Sequence, residues 1–287
     1  MDIPRLTILG TRVASLTYNE AVEAIMELAA PGPAHAYVCA VNVHTVSVAR
    51  RDPGFREVLN GAFLALPDGK PLVWAHRLLG GRRLPDRVYG PTLMLHLCRA
   101  AAERGVPIYL YGGADGVAEK LGQTLKEQFP TLQVAGTCSP PFREEKTPDS
   151  RLPDSRLEAE IAAINASGAR LVFVALGAPK QERFMARHAK EIEGLQIGVG
   201  AAFDFHTQRV KQAPAWMQGA GLEWLFRFCA EPRRLWRRYL VYNPYFVVRL
   251  MLQWLGLDGP SRDVGQSAGL PAQSRGLRHN GNADGKA

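Results

Sequence analysis

Leu171-Val-Phe-Val-Ala-Leu176, followed by Gly177-Ala-Pro-Lys-Gln-Glu182, is the stretch that decides the fold class. An unbroken apolar run of strand length, rich in valine and aromatic character, predicts a strand buried on both faces, as in a parallel sheet. Gly177 permits a turn and Pro179 suits the opening of a helix, so a helix is expected over residues 179–188. Lys180 and Gln181 then fall in its first turn, beyond the strand's carboxyl end. From there both reach a sugar or a phosphate. A solvated first turn, with Glu182 complementing the helix dipole, accounts for the same residues.

The same strand–turn–helix pattern recurs on either side. Strands are expected at residues 7–9, 36–40, 63–66, 107–111, 132–136 and 196–199, and helices at 19–29, 91–104, 117–129 and 157–167. Continuous apolar strands alternating with helices predict an α/β fold, a Rossmann-like parallel sheet sandwiched by helices. Residues 139–155 are rich in proline and charge and read as a surface loop. The organisation is expected to be a core over 1–220, a basic-aromatic helical appendage over 221–257, and a disordered tail over 258–287, where Gly, Ser, Asn and Gln dominate.

Composition excludes several classes. At 46% hydrophobic and 22% charged, the 287-residue chain is neither fibrous nor wholly disordered. Its four cysteines are scattered without a Cys-x-x-Cys pair, which disfavours a zinc site and favours a reducing cytoplasm. The histidines lack metal-ligand spacing and read as surface or structural, so neither metal nor cofactor is expected. The start lacks the apolar core of a signal peptide, and no stretch has the roughly 18 apolar residues of a spanning helix, so the expectation is a soluble or peripheral protein. A net charge of +8 favours anionic partners: nucleic acid, nucleotide phosphates or lipid headgroups. The excess concentrates late. Residues 223–257 hold six arginines against two glutamates, net +4, interleaved with aromatic residues. Basic and aromatic faces together describe an interfacial helix on an anionic membrane, a packed C-terminal helix with its arginines in water, or a nucleic-acid surface.

Ligands of open parallel sheets bind beyond the carboxyl ends of the strands. After the strand at 107–111 comes Gly112-Gly113-Ala114-Asp115-Gly116, a glycine turn into a helix, suited to a diphosphate or to an ordinary strand–helix turn. Neither it nor Gly198-Val-Gly-Ala-Ala-Phe203 completes Gly-x-Gly-x-x-Gly, which argues against an NAD-dependent oxidoreductase or epimerase. After the strand at 63–66 comes Pro67-Asp68-Gly69. Asp68 is placed to be a general base, since desolvation raises a carboxylate's pKa, although turn chemistry alone explains Asp-Gly.

Four segments in order, Leu176-Gly-Ala-Pro-Lys-Gln-Glu182, Gly198-Val-Gly-Ala-Ala-Phe-Asp204, Ala213-Pro214-x-Trp216, and Gly221-Leu-Glu-Trp-Leu-Phe-Arg227 with Glu231-Pro-Arg-Arg234, resemble the WecB/TagA/CpsF family of glycosyltransferases (glycosyltransferase family 26). The resemblance spans roughly residues 5–245. It implies a GT-E-like Rossmann variant and an inverting, metal-independent transfer from a UDP-sugar to an acceptor on polyprenyl diphosphate, in polysaccharide or cell-envelope assembly. It also implies a peripheral position on the cytoplasmic face of the membrane, through an appendage that completes the active site. Position by position, Asp68 corresponds to the catalytic base, Arg87 to a substrate-binding arginine, Asn42 to the early asparagine and Gln181 to the glutamine near the donor. Arg227, Arg234 and Arg237 correspond to arginines that stabilise the departing diphosphate. Ala40, Gln208 and Gln212 depart from the family pattern, which often has threonine, glycine and a basic residue there. On this reading nucleic acid is not a partner. A homo-oligomer stays open, because such folds often associate through their cores.

Overall fold

A computed structural model of the protein describes residues 3–30, 32–141 and 155–258. In chain order its elements are β1 (Arg5–Ile8), β2 (Thr11–Ala14), α1 (Tyr18–Ala29), β3 (Tyr37–Val41), α2 (Val43–Arg51), α3 (Pro53–Gly61), β4 (Leu64–Pro67), α4 (Lys70–Leu78), α5 (Gly90–Arg104), β5 (Ile108–Gly112), α6 (Val117–Gln128) and β6 (Val134–Cys138). These are followed by α7 (Ser155–Ala166), β7 (Leu171–Ala175), α8 (Lys180–Arg187), β8 (Leu195–Gly198), α9 (Ala202–His206), α10 (Ala215–Gly219), α11 (Glu223–Ala230), α12 (Pro232–Trp236), a π-helical turn (Arg237–Val241) and α13 (Tyr242–Trp254).

Six strands form one sheet in the order β4-β3-β8-β7-β5-β6, with every neighbouring pair parallel. This is the expected Rossmann-like α/β architecture. Strand periodicity divides the apolar side chains between two faces. Val38, Leu66, Leu110, Phe173 and Ile197 point into a cluster with Ile25 of α1, Leu97 of α5, Leu121 of α6 and Phe203 of α9. Cys39, Ala65, Tyr111, Val172 and Val174 point into another, with Val46 of α2, Phe55 and Leu59 of α3, Met185 of α8, and Phe246 and Leu250 of α13. Each fully buried Leu, Ile or Phe contributes roughly 1.5–3 kcal/mol.

The differences from the sequence expectations have local causes. The first strand ends at Ile8 rather than Leu9 and pairs antiparallel with β2, outside the main sheet. Leu9 (φ 49°) and Gly10 (φ 86°) both lie in the left-handed region, the conformation a two-residue hairpin turn requires. The Leu9 N–H is held by Gln253 Oε1 of α13 at 2.8 Å. Helices α2 to α4 have no counterpart among the expected elements, and for α2 the β-branched residues Val43, Thr45, Val46 and Val48 carry little helix propensity. Caps decide the matter for α2 and α3. Asn42 Oδ1 accepts from the N–H groups of His44 (3.1 Å) and Thr45 (3.3 Å), Thr45 Oγ1 accepts from the Asn42 N–H (2.8 Å), and Asp52 caps α3 through the Phe55 N–H (3.0 Å). Other boundaries move by a residue or two, as frayed ends do. Most of the expected 139–155 loop lies outside the described residues, as does the expected tail beyond Asp258. Asp258 itself bonds Arg50 at 2.9 Å.

Candidate functional site

The carboxyl ends of β3, β4, β5, β7 and β8 open into one cavity of about 1270 Å³, roofed by α11, α12 and the π-helical turn. The topology creates it: these parallel strands end on the same edge, and each is followed by a turn into a helix. The N-termini of α2, α5, α8 and α9 therefore border the same space, and their N–H groups and dipoles favour an anion.

Asp68 sits where β4 ends. Its N–H donates to Val41 O (2.8 Å), and its Oδ1 accepts from the Gly90 N–H at the start of α5 (2.8 Å). Burial pushes its carboxyl above the ordinary aspartate pKa; the Gly90 N–H, Arg87 and Arg238 pull the other way, and Glu223 adds to the rise. A hydrogen-bonded carboxylate with a raised proton affinity, facing a cavity, has the properties of a general base. His44 also lines the cavity, edge-on to Tyr242 with centroids 4.8 Å apart. Burial, with help from Arg238, depresses its pKa to about 4, so the imidazole is neutral at physiological pH. The sequence reading groups His44 with surface or structural histidines, and no spacing signal marks it.

The roof brings cations to the same cavity. Arg227, Arg237 and Arg238 line the cavity from the roof. Arg227 lies over the Phe205 ring (5.5 Å), and Arg238 over Tyr239 (5.9 Å). Burial lowers the pKa of Arg238, with Asp68 and Glu182 among the groups holding it up. In the sequence Arg238 is one of the six arginines of residues 223–257, with nothing that assigns it to the site. Arg238 stands in the π-helical turn, a backbone feature that residue types do not announce. The side chain of Arg234 lies outside the described residues.

Of the remaining candidates, Asn42, Gly113, Lys180 and Gln181 line the cavity. Asn42 uses its Oδ1 as the α2 cap, which leaves its amide N–H₂ as the group available to a ligand. Gln181 is almost wholly buried and bridges two elements: its Nε2 donates to Glu182 Oε1 (2.9 Å) and its Oε1 accepts from the Gly200 N–H (3.2 Å). Gly112 is a packing glycine outside the lining. At φ 122° a Cβ there would stand 2.6 Å from Ala175 O, so only glycine lets β5 end against β7. The Gly113 N–H donates to Ala175 O (3.0 Å) and is not available to a phosphate. Ala40 lines the cavity with no hydroxyl to offer.

Arg87 is also outside the lining. It forms an ion pair with Glu223 at the start of α11 (2.7 Å) and stacks over the Tyr89 ring (4.2 Å), while the Tyr89 hydroxyl donates to the other Glu223 oxygen (2.9 Å). In the sequence Glu223 is legible only as part of a motif. Glu182, read there as a helix-dipole partner, is instead fully buried, and burial raises its pKa to about 7.

A neutral imidazole, a carboxylate of high proton affinity and guanidinium groups lining one cavity suit deprotonation of a hydroxyl and stabilisation of a departing anion in one space. The chain matches the model of the Glycosyl transferase WecG/TagA/CpsF family over residues 6–259.

Proposed function

Since the chain belongs to the WecG/TagA/CpsF family of glycosyltransferases, enzymes that join a sugar donor to an acceptor, we propose that it transfers a sugar with inversion from a UDP-sugar to a polyprenyl-diphosphate-linked acceptor, without a metal. The observation that carries this reading is that Asp68 and the roof arginines line one cavity, with Arg238 near enough to act on the Asp68 carboxyl. Asp68 takes the proton from the acceptor hydroxyl as the new glycosidic bond forms. The bond from the sugar to the diphosphate breaks on the opposite face, and Arg227, Arg237 and Arg238 neutralise the charge that develops there. Forked guanidinium donors match diphosphate oxygens in geometry and supply the positive charge that a divalent ion would otherwise bring. Arg234 joins this group by family correspondence.

Asn42 offers its amide to the sugar, and Lys180 adds charge at the donor end. Gln181 and Glu182 hold the β8–α9 turn that carries Gly200. Gly113 shapes the donor wall through its backbone, and Gly112 packs the strands behind it. Arg87 works mainly through Glu223 and Asp68, because direct contact with substrate requires its ion pair to open.

No helix among the described residues is long and apolar enough to cross a membrane. Exposed Trp224, Leu225, Trp236, Leu240, Val248 and Trp254 nonetheless share the C-terminal helices with exposed Arg233 and Arg237. This combination supports a peripheral seat on the anionic cytoplasmic leaflet, where a lipid-linked acceptor would enter the cavity. The test is transfer from a panel of UDP-sugars to polyprenyl-diphosphate-linked sugars in vesicles with EDTA present. Transfer that depends on Asp68 supports the reading. Transfer that requires added metal, or that survives Asp68→Asn unchanged, overturns it.

A further inference from the structure

Resting on that reading of the site, we propose that Glu223 is a positioning residue: it latches the arginine-bearing C-terminal helices onto residues 87–90 and thereby makes Asp68 ready only when those helices are seated.

The geometry is a short relay. Both Glu223 oxygens are engaged, one by the Arg87 guanidinium (2.7 Å) and one by the Tyr89 hydroxyl (2.9 Å), and the cluster is nearly closed to solvent. The segment bearing Arg87 and Tyr89 is tied to the Asp68 turn on both sides: the Val88 N–H donates to Pro67 O, and the Gly90 N–H donates to Asp68 Oδ1, each at 2.8 Å. The Tyr89 N–H is held in turn by the Tyr18 hydroxyl (2.9 Å). One turn along α11 from Glu223 stands Arg227, which lines the cavity. A single carboxylate thus fixes the helix that delivers a roof arginine and the segment that holds the base.

The entry to α11 is fitted to the same wall. Gly221 adopts φ 74°, and a Cβ there would lie 3.4 Å from the Trp74 ring and 3.5 Å from Lys70 Cβ, both on α4, the helix that follows Asp68. Lys70 pairs with Asp86 (2.8 Å), next to Arg87. The left-handed backbone conformation is what favours glycine here, since a Cβ would make only ordinary van der Waals contact.

Electrostatics give the latch its effect on the base. The charged and titratable groups acting on Asp68 come from several elements: Arg87 and Tyr89 beside it, Glu223 on α11, Arg238 on the π-helical turn, Glu182 on α8 and Tyr18 on α1. His44 shares its cavity. With Glu223 seated, its charge offsets that of Arg87 and the helices bury Asp68; both raise its proton affinity, against the smaller opposing pull of Arg238. With Glu223 gone, Arg87 acts on Asp68 unopposed and water returns. Asp68 then becomes a weaker base at the moment the roof arginines withdraw.

The experiment uses the full chain without substrate, so it is independent of whether the correct sugar has been found. The ¹³C resonance of the Asp68 carboxyl, assigned by its loss in Asp68→Asn, is titrated in wild type and in Glu223→Gln, which keeps size and one acceptor oxygen but removes the charge. Amide hydrogen exchange is followed over residues 221–241. The expected result is a midpoint lowered by about one unit together with faster exchange in those helices. Tyr89→Phe, which keeps the ion pair and loses only the hydroxyl bond, shifts both in the same direction by less, and serves if Glu223→Gln does not fold. Either readout unmoved overturns the proposal. Where transfer is measurable, the acidic limb of kcat/KM moves down in step with the midpoint.

Discussion

Replacing Asp68 by asparagine separates catalysis from stability in a way the structure makes quantitative. Asparagine is nearly isosteric, and its Oδ1 can still accept the Gly90 N–H that Asp68 accepts at 2.8 Å, so the start of α5 keeps its partner. What disappears is the proton acceptor. A positioned general base contributes about 10²–10⁴-fold, equivalent to roughly 3–5 kcal/mol in the barrier, so kcat falls by that factor under conditions where chemistry limits turnover. Stability moves the other way. Burial raises the Asp68 pKa in the folded protein. A raised carboxyl contributes stability that is fully present below the unfolded pKa and lost as pH rises through the folded one. At neutral pH the ionised Asp68 is therefore a net cost, which the uncharged amide of the variant does not incur. The Tm of Asp68→Asn at pH 7 should equal or exceed that of wild type, and the gap should close on acidification toward the ordinary aspartate pKa of about 4. The assays are single-turnover transfer and calorimetry on the same preparations. A Tm several degrees below wild type at pH 7, or a kcat within about tenfold of it, would refute the reasoning.

Single contacts give the other predictions. Arg238→Ala removes a buried roof cation and should lower kcat by about 10²–10³, the loss typical of one electrostatic stabiliser, with partial recovery in Arg238→Lys; a change in KM alone would assign it to binding. Glu182→Gln removes a buried carboxyl with a pKa of about 7. Because the carboxyl is raised from 4.5 in the unfolded chain to about 7 in the folded one, the variant's Tm advantage over wild type should grow as pH climbs between those two values and level off above them; a pH-independent difference rejects the burial argument. Phe246→Ala should cost about 3–5 kcal/mol in urea unfolding, since the ring is buried in the cluster shared by α2, α3 and α13; a cost below about 1 kcal/mol would mean that α13 is not part of the core packing. Replacing exposed Leu240 and Val248 together by glutamate should weaken flotation with phosphatidylglycerol vesicles while leaving Tm within a few degrees, and undiminished binding would remove these helices from the membrane contact.

The parallel sheet is legible from the chain alone because its physics is local. Residues 171–176 and 107–111 are apolar over strand length, and the glycines and prolines after them mark turns into helices. The nomination of Asp68 rests on the same logic, as a carboxylate beyond the end of a buried strand. Helices α2 and α3 could have been found by weighting Asn42 with Thr45, and Asp52 with Pro53, over the poor propensity of the valines between them. His44, Glu182 and Glu223 could not have been assigned this way. Their chemistry comes from burial and from partners far along the chain, and a histidine or glutamate carries no sign of its desolvation in its sequence neighbours.

What the sequence by itself determined is the strand–helix alternation of the main sheet outside α2 to α4, the sheet class, the family correspondence and the basic-aromatic character of the C-terminal segment, since all of these depend on residue type and spacing. What only the tertiary structure decided is which charges meet. It drew Arg87 to Glu223, brought Arg238 into the cavity lining, took Gly112 out of the site and left Gly113 in its wall. The physical reason is that electrostatic energy depends on separation and on solvent exclusion in space. Neither quantity exists along the chain until strand order and helix docking have placed the two ends of each pair together.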